Sequence, residues 1–417
     1  MRSLGPVAPE ERLLSLDVLR AVALLGILSV NIVFIAHSMP RVGDPLANFS
    51  AWYDRLAGGL VAMLVSGKAN SLFTFAFGVG FAVQMRRLEA GGPGAARTYL
   101  RRLAALFAFG AAHALLVWDG DILHTYALLG LVLLAVRRVS RRGLAALVVA
   151  TALVPEALGA YRAATADAQG RAEEREARAA RVAQLQAEGA AAYGAGSYAD
   201  VVRHRTQALA EDYGREPHRR ASSYLSLLTT MLLGLFVGRE RLLERAAELR
   251  RGWRRAAALC ALVGLVSGAL FAVLVMSGGK SPPPLLDMAT GLAYRISRPT
   301  LMLAYAAVVV LACLSPRWGP SLARLAPAGR MALTNYLMQS AVCTSLFYAY
   351  GAGLYGRVGI VALQGIALAL WATQIALSTA WLRRFRQGPA EWLWRTLTYG
   401  RPAPAAAAPA VAKSEAA

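Results

Sequence analysis

The sequence is poor in cysteine and in lysine, and both shortages narrow what the protein can be. Its three cysteines lie inside apolar blocks without the spacing of metal ligands. Such residues are predicted to be small core side chains, which argues against a disulfide framework and a cysteine-based metal site. We therefore expect no metal and no resident cofactor. Only three lysines occur in 417 residues, so nearly all of the positive charge is arginine.

A phosphate-binding loop and an internal repeat are also missing. The stretch 67–80 contains several glycines but lacks the preceding strand and the glycine spacing of such a loop. Its glycines instead permit close approach between helices. Clearly broken helices or an inverted repeat would indicate a transporter, and neither is found.

The net charge of +21 raises the question of a nucleic-acid partner. The arginines, however, lie in short clusters between apolar blocks, which is where membrane proteins carry cytoplasmic positive charge. This distribution excludes nucleic acid and predicts the lipid bilayer as the partner.

Long apolar blocks dominate what is present. The chain is 57% hydrophobic with a mean hydropathy of +0.43, too apolar for a soluble protein of this length. Blocks of about 17–25 residues suffice to cross a hydrocarbon core roughly 30 Å thick. The sequence predicts an all-α, polytopic transmembrane helix bundle with about ten spans, near residues 17–38, 68–86, 99–118, 121–137, 143–161, 221–238, 254–276, 295–314, 331–350 and 357–381.

Arginine clusters follow every second predicted span, whereas the alternate connections are acidic, mixed or glycine-rich. This alternation is the positive-inside rule, and it predicts that both termini lie in the cytoplasm. The apolar segment 50–66 contains Gly58 and Gly59 and is predicted to be an interfacial or re-entrant helix. A true span there would break the alternation.

The pattern divides the chain into four parts. Residues 1–161 form an N-terminal membrane half. Residues 162–220 are rich in Ala, Glu and Arg, which predicts an extracytoplasmic, partly helical soluble loop. Residues 221–399 form a C-terminal membrane half that ends in a short interfacial helix. Residues 400–417 are an Ala/Pro-rich tail that is predicted to be disordered.

Polar residues inside the apolar blocks are candidates for function, because a charge at mid-membrane costs at least about 2.5–3.5 kcal/mol. In the first span Arg20 and Asn31 are eleven residues apart and share a face, with Asp17 one turn below Arg20. Arg102 and His113 repeat that spacing in the third span. The structural alternative is that Asp17 and Arg20 form an ion pair at the interface and that Asn31 forms hydrogen bonds between helices. For His113 the alternative is a hydrogen-bonded structural histidine.

The turn after the third span reads WDGDILH and lies at the predicted outer surface. Asp121 is placed to cap the next helix, and it lies one turn from His124. With Asp119, His113 and His37, two carboxylates and three histidines would form an outer active site if they converge. Histidine is the side chain best suited to proton transfer near neutral pH. The alternative is a helix cap with hydrogen-bonded structural histidines.

The ninth predicted span carries a further polar face. Asn335 and Gln339 are four residues apart and therefore point to the same side, and Arg330 lies at the cytoplasmic entrance.

Six stretches that touch most of the chain carry a family resemblance: LDVLRAVALLGILSVNI, GKANSLFTFAFGVGF, GAAHALLVWDGDILHTYALLG, GRMALTNYLMQS, FYAYGAGLYG and FRQGPAEWLWRTLTYG. They resemble the YeiB-like bacterial membrane proteins, domain of unknown function 418. Ala21 departs from the pattern, since relatives usually carry glycine after the arginine. The opening motif is similar to that of the wider transmembrane acyltransferase group, which includes the heparan-glucosaminide acetyltransferases and the sugar O-acyltransferases.

The resemblance implies acyl transfer from a cytoplasmic thioester donor to an acceptor outside, such as an envelope glycan. In that interpretation Arg20, Arg102 and Arg330 gather at the cytoplasmic mouth and bind the phosphates of acyl-CoA as co-substrate.

The same interpretation assigns the outer residues to chemistry. His113, oriented by Asp119 or Asp121, is the general base that acts on an acceptor hydroxyl or amine. Asn31 donates a hydrogen bond to the developing oxyanion. Two other classes remain open: a transporter or permease whose polar groups line a path, and a non-catalytic scaffold whose 162–220 loop binds a partner.

Overall fold

The protein folds as a bundle of helices joined mostly by short turns. The computed structural model describes residues 13–37, 49–165, 168–215, 217–277 and 284–400, and within these ranges there is no strand. The all-α prediction is confirmed. The tail that is predicted to be disordered falls outside the described residues from residue 401 onward. In chain order the helices are α1 (Leu14–Ala36), α2 (Trp52–Leu64), α3 (Lys68–Ala90), α4 (Ala95–Leu116), α5 (Leu123–Val136), α6 (Arg141–Thr165), α7 (Ala168–Ala195), α8 (Tyr198–Arg215), α9 (Pro217–Arg239), α10 (Arg250–Ser277), α11 (Pro284–Cys313), α12 (Gly319–Ala323), α13 (Ala326–Arg330), α14 (Ala332–Phe347), α15 (Ile360–Arg384) and α16 (Pro389–Tyr399).

Six helical segments in the described part of the chain are long and apolar enough to cross a membrane: Leu14–Ala36, Trp52–Ala90, Ala221–Arg239, Arg250–Met276, Met288–Cys313 and Ile360–Arg384. The chain is therefore a polytopic helical protein suited to a lipid bilayer. Helices α4, α5, α6 and α14 occupy the four other predicted spans. The count of about ten stays a prediction, because α5 and α14 have only 14 and 16 residues.

The segment predicted to be interfacial or re-entrant forms α2, a separate helix of 13 residues. It is too short to cross a core roughly 30 Å thick. Gly67, with a φ of 76°, separates it from α3 in the left-handed conformation that glycine adopts readily. The Asp54 carboxylate of α2 accepts a hydrogen bond from the Val361 amide at the start of α15, which ties α2 to the bundle.

Glycines let α3 and α9 approach closely at the centre of the bundle. A Cβ on Gly78 would collide with the Met231 carbonyl oxygen, and a Cβ on Gly234 would collide with the Phe75 carbonyl oxygen. Backbone contacts of this kind replace the hydrophobic driving force that is missing between helices in lipid. The predicted close approach at Gly78 is confirmed.

The two ends of the bundle are named by their residues. At one end, called the basic end, α1 and α4 begin and α15 ends. At the histidine end α1 and α4 end, α5 begins, and the helices α7 and α8 of the 162–220 insertion lie against the bundle. The Tyr198 hydroxyl of α8 donates to the Leu116 carbonyl at 2.8 Å, and the Ala349 amide donates to the Tyr193 carbonyl at 2.8 Å.

Candidate functional site at the histidine end

Asp121 lies at the centre of a cluster in the turn between α4 and α5. Its Oδ2 is 2.8 Å from Nδ1 of His113, and its Oδ1 is 2.8 Å from Nδ1 of His124. The His124 amide also donates to Oδ1 at 3.1 Å. Gly110 permits this arrangement, because a Cβ there would lie 2.2 Å from the His124 nitrogen. Asp121 thus holds both histidines while it stabilises the start of α5.

Electrostatics determine the protonation of this cluster. The side chain of Asp121 is fully buried and that of His113 is 1% exposed. The Asp121 carboxylate contacts the rings of His113 and His124 and accepts from the His124 amide, and hydrogen bonds of this kind favour its ionised form. An ionised carboxylate only accepts hydrogen bonds, so each histidine donates from Nδ1. In a neutral ring this leaves Nε2 as the proton acceptor.

The two Nε2 atoms have different surroundings. Nε2 of His124 is 2.6 Å from the Tyr213 hydroxyl of α8. Nε2 of His113 is buried and has no hydrogen-bond partner in the described structure. The ring of Tyr336, in α14, packs beside His113 with the centroids 5.2 Å apart. His113 is therefore the histidine of this cluster whose Nε2 atom is not already engaged in a hydrogen bond in the described structure.

Polar residues that the sequence analysis did not select lie in the bundle beneath this cluster. The Tyr126 hydroxyl is 2.7 Å from Thr74 Oγ1 and 3.2 Å from Asn70 Oδ1. Arg298 of α11 donates to Ser71 Oγ at 2.7 Å and to Ser226 Oγ at 3.0 Å. The signal for Arg298 was present, since an arginine within a predicted span is a functional candidate by default. Tyr126 had no such signal.

Asp119, the second carboxylate of the turn, takes another position. It is half-buried, and its charge acts on Tyr193 and His204 of the insertion. Asp121 is therefore the carboxylate that contacts His113.

His37 and Asn31 lie apart from the cluster. Nε2 of His37 is 2.7 Å from the Val358 carbonyl oxygen, and its ring packs edge-on against Phe49. Asn31 is half-buried on α1, which packs on α3, α14 and α15. The described contacts place neither residue beside His113, so the oxyanion role of Asn31 stays a prediction.

At the basic end the three predicted donor-binding arginines lie around the start of α1. Arg20 donates to Asp17 at 3.3 Å and lies within electrostatic range of Arg102. The Arg102 guanidinium is 3.5 Å from the ring centre of Trp394 in α16. Arg330 ends α13, where a Cβ on Gly329 would collide with the Asp17 carbonyl oxygen of α1.

Asn335 and Gln339 join α14 to α15. Asn335 Nδ2 donates to Ser378 Oγ at 3.0 Å, and Gln339 Nε2 donates to Gln374 Oε1 at 2.8 Å. Beside them is a cleft of about 590 Å³, which we call the basic cleft; its lining includes Thr334, Asn335, Ser378, Arg383 and Arg384. These two arginines belong to the arginine cluster that follows the last predicted span, where the sequence predicted only cytoplasmic positive charge.

The chain is similar to known bacterial proteins over nearly its whole length. The family described as Protein of unknown function (DUF418) matches residues 237–401. The chain is 34% identical to Uncharacterized protein YxaH of Bacillus subtilis (strain 168), over 96% of this chain and 97% of that protein. It is 31% identical to Uncharacterized protein YeiB of Escherichia coli (strain K12), over 97% of this chain and 99% of that protein. The chain belongs to the DUF418 family of YeiB-like proteins.

Proposed function

We propose that this membrane protein transfers an acyl group from acyl-CoA in the cytoplasm to an acceptor hydroxyl or amine at the outer face of the bacterial inner membrane. The observation that supports this proposal is the buried His113–Asp121 pair with its unpartnered Nε2 atom. A histidine that is oriented through Nδ1 by a carboxylate is the arrangement that acyl-transfer enzymes use for a general base.

In this reaction the acceptor oxygen or nitrogen attacks the thioester carbonyl carbon, and its proton passes to Nε2 of His113. The C–S bond then breaks, and the leaving thiolate takes the proton back from the imidazolium. Asp121 stays ionised and stabilises the imidazolium while it exists. Burial strengthens that interaction, because the surroundings are poor in water.

The basic cleft offers a route for the donor. Arg383 and Arg384 line it, which suits the phosphates of CoA. Asn335 also lines the cleft, and the next residue on α14, Tyr336, packs against His113. A donor bound in the basic cleft would therefore contact the same helix that packs against His113. Arg20, Arg102 and Arg330 add positive charge at the same end.

The test is acetyl-CoA binding and hydrolysis by the purified, detergent-solubilised chain. His113→Gln is expected to retain binding and to lose about 100-fold or more in turnover, the range of general-base catalysis. Arg383→Ala combined with Arg384→Ala, and separately Arg20→Ala, are expected to weaken binding.

Two variants serve as matched controls. His37→Gln changes a histidine at the same end that lies outside the cluster, and Arg138→Ala removes an arginine whose side chain is 78% exposed. Neither is expected to change binding or turnover. A wild-type protein that does not bind acetyl-CoA would exclude the acyltransferase proposal.

A second candidate function, a permease, is favoured by the polar residues beneath the cluster. Tyr126, Thr74, Asn70 and Arg298 contact one another or nearby serines inside an otherwise apolar bundle. Such groups are typical of a substrate or proton path. Flux in proteoliposomes without a thioester, abolished by Arg298→Gln and retained by His113→Gln, would support the permease over the acyltransferase.

A further inference from the structure

Arg205, in α8 of the insertion, is fully buried over the histidine end. Its exposed fraction is 0%. By residue volume it is the largest of the fully buried side chains in the described structure. Nη1 donates to the Leu115 carbonyl oxygen at 3.3 Å, two residues from His113 in α4. The arginine therefore points from the insertion into the bundle rather than into solvent.

Two nitrogens of the Arg205 guanidinium, Nε and Nη2, are buried and have no hydrogen-bond partner in the described structure. These two nitrogens form the side edge of the guanidinium, which presents two parallel N–H groups and matches a carboxylate or a phosphate bidentately. A buried guanidinium without a counter-ion is unfavourable, so an empty edge of this kind indicates a ligand.

The titratable groups around Arg205 include Tyr193, His204 and nearby carboxylates. Burial raises the pKa of the Tyr193 phenol, and both the charge of Arg205 and a side-chain hydrogen bond with Arg205 oppose that rise. Burial also lowers the pKa of His204, which favours its neutral form. Asp119, Glu188 and Glu211 act on His204 as well. Glu211 pairs with Arg181, and no carboxylate in the described structure forms an ion pair with Arg205.

We propose that the Nε–Nη2 edge of Arg205 binds an oxyanion, a carboxylate or a phosphate group, beneath the insertion. The same helix α8 carries Tyr213, whose hydroxyl contacts His124 of the His113–Asp121–His124 cluster. The anion site and that cluster are thus covered by one helix. That this anion is part of the acyl acceptor rests on the proposed function, whereas the anion site itself does not.

The experiment measures anion binding by the full chain without any thioester. Inorganic phosphate is titrated into the detergent-solubilised protein, and in a second arm the protein is mixed with vesicles of phosphatidylglycerol or of phosphatidylcholine. Arg205→Lys keeps the charge but removes the two-pronged edge, and it is expected to weaken binding by about 10-fold, the loss of one charge-assisted hydrogen bond. Arg203→Lys, at an exposed position of the same helix, is the control and is expected to bind as the wild type does.

Hydrogen exchange of the α8 amides in the wild type provides a readout that needs no variant to fold. Protection by phosphate would identify a soluble anion, and protection by phosphatidylglycerol alone would identify a lipid headgroup; either supports the site. The absence of saturable binding in both arms would overturn it, as would equal affinities of Arg205→Lys and the wild type. Because acyl-CoA is absent, a failure here is distinguishable from a failure of acyl transfer.

Discussion

Nδ1 of His113 and Oδ2 of Asp121 lie 2.8 Å apart across the turn that joins α4 to α5. The contact connects the last turn of one helix to the residue that caps the next. Because Oδ1 also binds His124, a single carboxylate orients two imidazoles with different exposure.

Asp121→Asn is expected to destabilise the protein by about 1–3 kcal/mol, because the amide cannot accept hydrogen bonds from both histidines. Asp119→Asn is the matched control, since Asp119 lies in the same turn but does not contact His113, and its effect is expected to be under about 0.5 kcal/mol. Thermal unfolding of both variants in detergent measures the difference. Equal losses would contradict the central position of Asp121.

The insertion is expected to loosen on acidification. Burial lowers the pKa of His204 below its usual value, with Asp119 partly opposing the shift. The unfolded segment therefore binds more protons than the folded one below about pH 6.5, so its stability is present above that pH and is lost as the pH falls through the folded-state pKa. Protease cleavage within α7 and α8 should increase between about pH 7.5 and about pH 5. His204→Gln should reduce that increase; an unchanged pH profile would reject this assignment.

Gly78→Ala is expected to destabilise the bundle by about 1–3 kcal/mol, because the added methyl group would meet backbone atoms of α9. Gly365→Ala in α15 is the control: a Cβ there meets nothing within 4 Å. Alanine at that helical position is expected to be neutral or stabilising by about 0.5–1 kcal/mol. Unfolding midpoints of the two variants give the comparison, and a harmless Gly78→Ala would show that the two helices can separate.

Glu391→Ala is expected to loosen the start of α14. The Glu391 carboxylate accepts hydrogen bonds from the Leu333 and Thr334 amides at 2.7 and 3.1 Å and from the Thr334 hydroxyl at 2.6 Å. Loss of these contacts is expected to cost about 1–2 kcal/mol, as for other helix caps. Hydrogen exchange at Leu333 and Thr334 reports the effect directly. Glu89→Ala, which removes a partly exposed salt bridge to Arg137, should leave those amides unchanged.

Part of the site could be predicted from the sequence, because those contacts join residues that are close together along the chain. Asp121 and His124 are three residues apart, and a carboxylate at the start of a helix meets the amide and side chain of the third residue onward. The helical spacing also placed Asn335 and Gln339 on one face. The choice between Asp119 and Asp121 as the partner of His113 was not accessible, because it depends on how the turn folds back on α4.

The sequence by itself determined the class of the protein. Hydropathy and charge are properties of single residues summed over a block, so apolar blocks and arginine clusters were enough to establish an all-α membrane bundle and to suggest its orientation. The tertiary structure alone decided which polar groups meet: Arg298 with Ser71 and Ser226, and Arg205 with the end of α4. Helices in lipid are apolar on most faces, and their pairing depends on small residues and shape. A hydrophobic periodicity therefore does not specify which helix faces which.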